Sequence, residues 1–235
     1  MKAMILAAGR GERMRPLTDH TPKPLLLAGG KPLVVWHLER LAQAGFSEVV
    51  INLAHLGEQI ESALGSGEAW GLQIRYSHEP AGALETAGGI ATAQPWGKTR
   101  APFLLINGDV FSDWDVSEAR KMAQASDNTL GHLVLVPSPA HHPQGDFGLQ
   151  PDGQVCPRDA AATRLTYSGM AVLWPALFDH TPAHARAPLA PLLHEAMAQG
   201  RLRGSLHAGQ WMDVGTPERL AALDHTLARG GPSHS

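Results

Sequence analysis

Short apolar runs alternate with segments of helical periodicity over the first half of the chain. Helices are predicted over residues 32–45 and 55–65, because apolar side chains recur at intervals of three and four and each segment ends at a glycine. Strands are predicted over 48–51 and 72–76. Alternation at this spacing is typical of βαβ units, so the sequence predicts an α/β protein with a parallel sheet.

The first predicted strand, over residues 3–8, leads into a loop that contains Gly9 and Gly11. Without a Cβ atom, a glycine backbone can pass close to a ligand, and its bare N–H groups can bind phosphate oxygens. The end of this strand is therefore the first candidate for a phosphate site.

Three cations follow the glycines and strengthen that interpretation. Arg13 and Arg15 belong to the same loop, and Lys23 lies between two prolines a few residues later. Fixed positive charge beside bare N–H groups suits a triphosphate. Arg15 is the weaker candidate, because packing beside the proline that follows it is a sufficient role.

The two common phosphate-binding loops do not fit this segment. The dinucleotide fingerprint needs a third glycine where this chain has Met14, and an acidic residue at the end of the second strand, where it has Asn52. The sequence G-x-x-x-x-G-K-[ST] is absent as well. The loop therefore predicts a different class of nucleotide site.

Two acidic residues follow predicted strands. A continuous apolar run over 101–106 predicts a central strand covered on both faces, and it ends in Asn107, Gly108 and Asp109. Because ligands of open α/β sheets bind at the carboxyl ends of strands, Asp109 is expected beside the glycine loop, with a structural turn acid as the alternative. Asp213, two residues before a glycine, is the second candidate. Two carboxylates suit Mg²⁺, which also takes waters and substrate phosphates.

A glycine pair, Gly88 and Gly89, lies early in a helix predicted to start at Glu85 or Thr86 and to end at residue 93. Each glycine costs about 1 kcal/mol against alanine inside a helix. Either the helix packs closely on the sheet, or a planar base lies against the Gly88 backbone. Upstream of the pair, Glu79 is a candidate acceptor for an N–H group on the edge of such a base.

The second half of the chain is predicted to add a small, more antiparallel region. Its predicted elements are a strand over 131–137, a loop over 139–148, antiparallel segments over 149–155 and 164–174, a helix over 188–200, a strand over 202–207 and a last helix from the N-cap Thr216 through 228. Before it, Asp113 and Asp115 are interpreted as a solvated loop and the cap of a helix through residue 125. The adjacent His141 and His142 have no third ligand nearby in the sequence, so no metal is assigned to them.

Composition limits the partners. The net charge is −3, from 19 basic and 22 acidic residues, so no basic surface for nucleic acid or anionic lipid is expected. No apolar run approaches the roughly 18–20 residues needed to cross a bilayer, and the first residues lack the pattern of a secretory signal. The single cysteine, Cys156, fits a reducing cytosol and is read as a small packed residue. We therefore expect a cytoplasmic protein, monomeric and without membrane or nucleic-acid partners.

Four motifs occur along the chain in a fixed order. They are Leu-Ala-Ala-Gly-Arg-Gly-Glu-Arg-Met-Arg-Pro over 6–16 with Pro-Lys-Pro over 22–24, Leu-Glu-Thr-Ala-Gly-Gly over 84–89, Asn-Gly-Asp over 107–109 and Trp-Met-Asp-Val-Gly-Thr over 211–216. This set resembles the sugar-1-phosphate nucleotidyltransferases, also called NDP-sugar pyrophosphorylases, over nearly the whole chain. The short length and the Leu-Glu-Thr-x-Gly-Gly variant are most similar to members that transfer uridylyl groups to a muramyl phosphate in bacterial cell-wall recycling.

The resemblance implies a Rossmann-like three-layer α/β fold with a mostly parallel central sheet and a small antiparallel sugar-binding region. A single domain is expected, with residues 1–128 mainly for the nucleotide, 129–229 mainly for the sugar and 230–235 a flexible tail. The implied reaction is attack of a sugar 1-phosphate on the α-phosphorus of UTP, with Mg²⁺ as cofactor and release of pyrophosphate.

The resemblance also assigns residues to roles. The catalytic residues are Arg13, Lys23 and Asp109; the nucleotide-binding residues are Ala8, Gly9, Gly11, Glu12, Arg13, Lys23, Glu79 and Gly88; the sugar-binding residues are Asn107, Asp146 and Ser168; the metal ligands are Asp109 and Asp213.

Two alternatives stay open at this point. The first is guanylyl or thymidylyl transfer to a mannose, heptose or glucose phosphate. The second is a non-catalytic module that senses a nucleotide sugar, although such a module would be expected to lose at least one of Arg13, Lys23, Asp109 and Asp213.

The sugar is the least determined part of the prediction. Many members of the family carry a Glu-Lys pair where this chain has Arg158 and Asp159, which permits a different sugar. A muramyl substrate carries a lactyl carboxylate that needs a cation or backbone N–H groups. Arg158, Arg164, Arg186 and Arg203 are all candidates, and the sequence does not choose among them.

Overall fold

Nine strands form one mixed sheet in the computed structural model, which describes residues 1–80, 84–124 and 128–229. The first half contains β1 (Ala3–Leu6), β2 (Leu27–Ala28), β3 (Lys31–Pro32), α1 (Leu33–Gln43), β4 (Glu48–Leu53), α2 (Gly57–Leu64), β5 (Gln73–His78), α3 (Glu85–Ala93), β6 (Phe103–Asn107), β7 (Val110–Ser112) and α4 (Ala119–Met122). The second half contains β8 (Gly131–Pro137), β9 (Phe147–Leu149), β10 (Val155–Pro157), β11 (Arg164–Leu173), α5 (Leu189–Ala198), β12 (Leu202–Leu206), β13 (Trp211–Asp213) and α6 (Pro217–Ala228).

The sheet has a parallel centre and an antiparallel side. Its main path runs β10-β9-β11-β6-β1-β4-β5, and β8 pairs with both β11 and β12. The pairs β1–β4, β1–β6, β4–β5 and β8–β12 are parallel, whereas β11 is antiparallel to β6, β8 and β9. The predicted α/β fold with a mostly parallel central sheet is confirmed.

The antiparallel strands extend the central sheet rather than lying over it as a separate region. Four residue pairs join β11 to β6, from Met170 opposite Ile106 to Leu173 opposite Phe103. The two halves of the chain therefore share one sheet, and the expected sugar side continues directly from the expected nucleotide side.

Helices cover both faces of the sheet, which explains the continuous apolar runs. Along β6, Leu104 and Ile106 pack with α1, α2 and α4, whereas Phe103 and Leu105 pack with α3 and α5. Side chains of a strand alternate between faces, so a strand covered on both faces must be apolar at every position. Among the described residues, no helix is both long and apolar enough to cross a membrane.

The register of the central strands brings three strand ends together. Leu6, the last residue of β1, lies opposite Asn52 of β4 on one side and Asn107 of β6 on the other. The loops that follow these residues therefore start from one edge of the sheet, where ligands of open α/β sheets bind.

Some predicted boundaries differ from the structure. The strand predicted over 3–8 ends at Leu6, because the Ala7 N–H donates to the Asn52 side chain at 2.8 Å instead of continuing the ladder. The helix predicted to run from Asp115 through residue 125 is a 3-10 turn followed by α4, which ends at Met122; residue 125 lies outside the described part. Asp115 caps that turn by accepting from Ser117 N at 2.9 Å, as predicted. The tail over 230–235 also lies outside the described residues.

Candidate active site

A cavity of about 230 Å³ opens at the carboxyl ends of β1, β4 and β6. We call it the first cavity. Residues from the glycine loop, the Pro-Lys-Pro turn, three strand ends and the start of α3 line it: Leu6, Ala7, Ala8, Gly9, Lys23, Pro24, Asn52, Glu79, Glu85, Thr86, Asn107, Gly108 and Asp109. It thus gathers Ala8, Gly9, Lys23, Glu79, Asn107 and Asp109 from the predicted site.

An ion pair between Lys23 and Asp109 lies at this cavity. The Lys23 Nζ is 2.6 Å from Asp109 Oδ2, and the Lys23 side chain is only 9% exposed. Gly108 makes this possible: its N–H donates to Leu6 O at 2.9 Å, and a methyl group on it would lie 2.6 Å from the same oxygen. The close backbone approach holds Asp109 beside the glycine loop, as its place after β6 predicted.

A polar chain that the sequence analysis missed connects the walls of the first cavity. The Asn52 amide accepts from Ala7 N at 2.8 Å and donates to Glu79 Oε1 at 2.6 Å, and Glu79 Oε2 accepts from Leu84 N at 2.9 Å. These bonds fix the Glu79 carboxylate between two strands and α3. The available signal was Asn52 itself, a buried amide at the end of an otherwise apolar strand.

The two glycines of α3, Gly88 and Gly89, are required for different structural reasons. A methyl group on Gly89 would lie 2.4 Å from Glu79 Oε1, so this glycine makes room for the polar chain. A methyl group on Gly88 would lie 2.1 Å from Ala185 O, and the Gly88 N–H donates to Ala187 O at 3.0 Å. Close packing thus accounts for Gly88, which is not among the described residues that line the first cavity.

The second predicted carboxylate reaches the same region through the pairing of β13 with β7. Asp213 lies opposite Val110, and the N–H of Val214 donates to the backbone oxygen of Asp109 at 2.8 Å. The chain segments that carry Asp109 and Asp213 are therefore neighbours in a short antiparallel ladder. Arg219, in the first turn of α6, places Nη1 at 2.8 Å from Asp213 Oδ2.

Arg219 was also missed by the sequence analysis. Its Nη1 additionally lies 2.9 Å from His141 Nε2, so the loop that contains the paired histidines is tied to the Asp213 segment. Both side chains of this ion pair are mostly buried, at 19% exposure for Arg219 and 25% for Asp213. The signal was an arginine in the first turn of the helix that follows a predicted metal ligand.

The remaining residues of the predicted phosphate loop lie beside the first cavity. Gly11 has a φ of 68°, which favours glycine, and a methyl group on it would lie 3.0 Å from Thr18 Cγ2. Arg13 is exposed, and a methyl group on Gly215 would lie 3.0 Å both from Arg13 Nη2 and from Asp213 Oδ1. Arg13 therefore adjoins the Asp213 segment.

Two charged residues of that loop pair with neighbours on the surface. Glu12 Oε1 lies 2.7 Å from Arg10 Nε, and Arg15 Nε lies 2.8 Å from Asp19 Oδ1. Neither Glu12 nor Arg15 is among the described residues that line the first cavity. For Arg15, this agrees with its rank as the weaker candidate.

A second cavity, of about 860 Å³, shares Glu85, Thr86 and Asn107 with the first. Asp146 lines it; its Oδ2 accepts from Tyr167 N at 2.8 Å and its Oδ1 lies 3.0 Å from His142 Nε2. The predicted sugar contacts Asn107 and Asp146 are thus both at this cavity.

Ser168, the third predicted sugar contact, is placed elsewhere. It is fully buried, its Oγ accepts from Met170 N at 3.1 Å, and its backbone oxygen accepts from Trp211 Nε1 at 2.8 Å. Alternation along β11 puts the neighbouring residue, Tyr167, at the second cavity instead. Burial raises the pKa of the Tyr167 hydroxyl, which stays a neutral donor and has no hydrogen-bond partner among the described residues.

The sequence model of the nucleotidyl transferase family matches residues 2–155. The chain belongs to this family. It is 56% identical over 221 residues to an N-acetylmuramate alpha-1-phosphate uridylyltransferase of Neisseria meningitidis serogroup B, covering 94% of this chain and 95% of the relative. It is 35% identical over 242 residues to a protein of the same description from Caulobacter vibrioides, covering 96% of both. The resemblance inferred from the four motifs is confirmed.

Solved structures support the same fold. A protein from Bacillus anthracis described as a glucose-1-phosphate thymidylyltransferase superposes with a TM-score of 0.82 over 100% of this chain and 98% of its own, at 21% identity. At that identity the likeness speaks for the fold alone.

The two predicted metal ligands of this nucleotidyl transferase are carboxylates, which suit a hard cation whose remaining ligands come from the substrate and water. Among the described residues, no group of three or more His, Cys, Asp or Glu side chains is placed to bind a metal ion. Asp213 of β13 and Asp109, just before the paired strand β7, offer two carboxylates, and Mg²⁺ needs only one or two when waters and phosphates complete its shell. His141 contacts Arg219 and lies 3.8 Å from Asp213 Oδ2, and His142 contacts Asp146.

A buried imidazole lies beneath the site. Burial, together with the charge of Arg40, lowers the pKa of His37 in α1 from 6.5 to about 4. Its imidazole, which is hydrogen-bonded to the backbone of Val110, therefore stays neutral at pH 7. A neutral core adds no charge of its own to the Asp109 side of the cavity.

Proposed function

We propose that the chain transfers UMP from UTP to N-acetylmuramic acid 1-phosphate, giving a UDP-sugar and pyrophosphate, with Mg²⁺ as cofactor. The main support for this proposal is that 94% of the chain aligns at 56% identity with an N-acetylmuramate alpha-1-phosphate uridylyltransferase. The ion pair of the nearly buried Lys23 with Asp109 at the first cavity is the local feature that agrees with phosphate chemistry. The product is a cell-wall precursor sugar, which fits peptidoglycan recycling in the cytoplasm.

The nucleophile of this reaction needs no enzymatic base. A phosphate monoester has a second pKa near 6, so a sugar 1-phosphate is already an anion at neutral pH. The barrier comes from bringing negative groups together and from aligning the attacking and leaving oxygens. Fixed cations and rigid placement are therefore the contributions expected of the protein.

Lys23 and Arg13 supply the fixed positive charge. Lys23 is held almost buried beside the glycine loop, where its ammonium acts as a point charge between the reacting phosphates. Arg13 is exposed next to the Asp213 segment, and its planar fork suits the leaving pyrophosphate. Arg219 keeps Asp213 in place from the other side.

Asp109 and Asp213 would hold Mg²⁺ together with substrate phosphates. When bound, the ion supplies neutralisation of phosphate charge and a common template for the oxygens. The residues of the chain provide the rest. Pairing of β13 with β7 makes the backbone segments of the two aspartates neighbours, and Lys23 and Arg219 compensate their charge within the protein.

Glu79 is the residue proposed to recognise the hydrogen-bonding edge of uracil. Its two oxygens already accept from Asn52 and Leu84, but a carboxylate oxygen has two acceptor sites, so each can take another donor. The imide N–H of uracil is a donor, whereas cytosine presents an acceptor at the same ring position. A fixed carboxylate at this point favours UTP.

The test is pyrophosphate release with Mg²⁺, crossing UTP, dTTP, GTP and ATP against sugar 1-phosphates that include N-acetylmuramic acid 1-phosphate. The highest kcat/KM is expected for UTP with the muramyl phosphate, and chelation of Mg²⁺ should stop turnover. A clear preference for another pair would replace the substrates while keeping the transfer chemistry. No pyrophosphate from any pair, with the protein folded, would contradict the catalytic proposal and favour a sensing module.

A further inference from the structure

The carboxylates that line the second cavity are already paired. Both oxygens of Asp146 have the partners described above. Asp159 Oδ1 lies 2.7 Å from Arg164 Nη2, and Glu85 Oε1 lies 2.7 Å from Arg186 Nε. These pairs compensate much of the negative charge around the cavity.

Arg158 lines the same cavity and is paired less fully. Its Nε lies 3.8 Å from Asp159 Oδ2, and its Nη1 makes only a long hydrogen bond of 3.4 Å to Gly145 O. Within the described ranges, no other carboxylate comes within ion-pair distance of it. Arginine keeps its charge at every physiological pH and presents a planar fork to a carboxylate. Arg158 is therefore a permanent cation with donors still available.

The other candidate arginines are committed elsewhere. Arg164 pairs with Asp159 and also donates to Gln144 Oε1 at 2.7 Å. Arg186 pairs with Glu85 and is 72% exposed, and Arg203 donates to the backbone oxygen of Asp152. None of these three is among the described residues that line the second cavity.

We infer that Arg158 binds the lactyl carboxylate of N-acetylmuramic acid 1-phosphate and selects it over other amino-sugar phosphates. The inference rests on the proposed function. The cavities meet at Thr86 and Asn107, so a sugar whose phosphate lies by Lys23 in the first cavity extends into the second. There the lactyl group, which N-acetylglucosamine lacks, brings a carboxylate toward the weakly paired guanidinium of Arg158, and Arg164 holds the competing Asp159.

The test compares two substrates that differ only in the lactyl group. Wild type and Arg158→Gln are assayed with UTP and either N-acetylmuramic acid 1-phosphate or N-acetylglucosamine 1-phosphate. A charged, bidentate contact predicts that Arg158→Gln lowers kcat/KM about 10- to 100-fold for the muramyl phosphate, mostly through KM. The value for the glucosamine phosphate should change less than about 3-fold, and Arg158→Lys should retain part of the activity. Calorimetric titration with the two sugar phosphates gives the same comparison without turnover.

Arg203→Gln is the matched control, since it removes an arginine away from the cavity and should leave both substrates within about 3-fold. Equal losses for the two substrates, or no loss for the muramyl phosphate, would overturn the role of Arg158 while the proposed function stands. If the wild type does not use the muramyl phosphate at all, the proposed function fails and this inference with it.

Discussion

The two cavities of the site are built in different ways. The first is small and rises from strand ends whose positions the sheet register fixes, and its lysine, Lys23, is nearly buried. The second is almost four times larger and is lined mostly by loops and α5, with charged side chains that remain partly exposed. A rigid sheet edge suits a transfer step common to a family, whereas loops suit the choice of sugar.

The largest expected loss of activity comes from a substitution in the first cavity. Asp109→Asn keeps the size of the side chain but removes one proposed metal carboxylate and the partner of Lys23, so kcat/KM should fall at least about 10³-fold. Melting temperature, which reports the fold, should change by only a few degrees. Asp115→Asn is the control, because asparagine also caps a helix and should leave activity intact. Activity close to wild type in Asp109→Asn would end the metal assignment.

A somewhat smaller loss is expected when the cation is removed. Lys23→Met preserves the packing of the stem against Gly11 but deletes the charge, so kcat should fall about 10²- to 10³-fold. Because Lys23 and Asp109 are in contact, the double variant should be less damaged than the product of the single effects. Steady-state kinetics of the four proteins measures this coupling, and simple multiplication of the two losses would argue that the pair does not act as a unit.

Acid stability reports on two imidazoles with lowered pKa values, His37 of α1 and His132 of β8. The pKa of His37 is lowered to about 4 in the folded state, so between pH 6.5 and pH 4 the unfolded chain binds a proton that the folded one does not. Stability is therefore lost as pH falls through this window, by about 3 kcal/mol for His37. Burial, with the charge of Arg203, lowers the pKa of His132 to about 4, in the same direction.

Urea unfolding at pH 7 and pH 4 measures that loss. In His37→Gln the difference in unfolding free energy between the two pH values should shrink by about 3 kcal/mol. The exposed His225 provides the control variant, His225→Gln, in which the difference should stay as in wild type. An unchanged difference in His37→Gln would contradict a neutral buried imidazole.

The smallest effect concerns the base. Glutamine at position 79 has one oxygen and one amide nitrogen, so Glu79→Gln cannot accept from both Asn52 and Leu84 and from uracil as well. The preference for UTP over CTP, whose base has an acceptor in place of the imide N–H, should fall about 10-fold, because one hydrogen bond to a charged group is lost. Competition assays with mixed nucleotides report it. A preference equal to wild type would remove Glu79 from base recognition.

The sequence predicted the first cavity better than the second for a physical reason. Strand ends and glycine loops leave local patterns, so Gly9, Lys23 and Asp109 could be brought together from the alternation of elements alone. Arg158 and Asp146 line one cavity only because β9 pairs with β11 and α5 packs beside them. No local sequence pattern indicates that these two residues are close in space.

The missed residues and the relocated ones follow the same logic. Asn52 and Arg219 act through partners distant in sequence, at Glu79 and Asp213, which spacing does not reveal. Gly88 belongs to one of the four motifs and Ser168 was assigned from the resemblance, yet each is committed to packing or backbone bonds within the protein. A motif indicates a segment of the site, and only the structure says which side chain of that segment faces the cavity.

The most direct test of the account labels the attacking group. Wild-type enzyme is incubated with Mg²⁺, UTP and N-acetylmuramic acid 1-phosphate that carries ¹⁸O in its non-bridging phosphate oxygens. The ¹⁸O content of each product is then measured by mass spectrometry. Attack on the α-phosphorus predicts a UDP-sugar that contains all of the label and a pyrophosphate that contains none. Label in the pyrophosphate, or the absence of a UDP-muramyl product, would contradict the central claim.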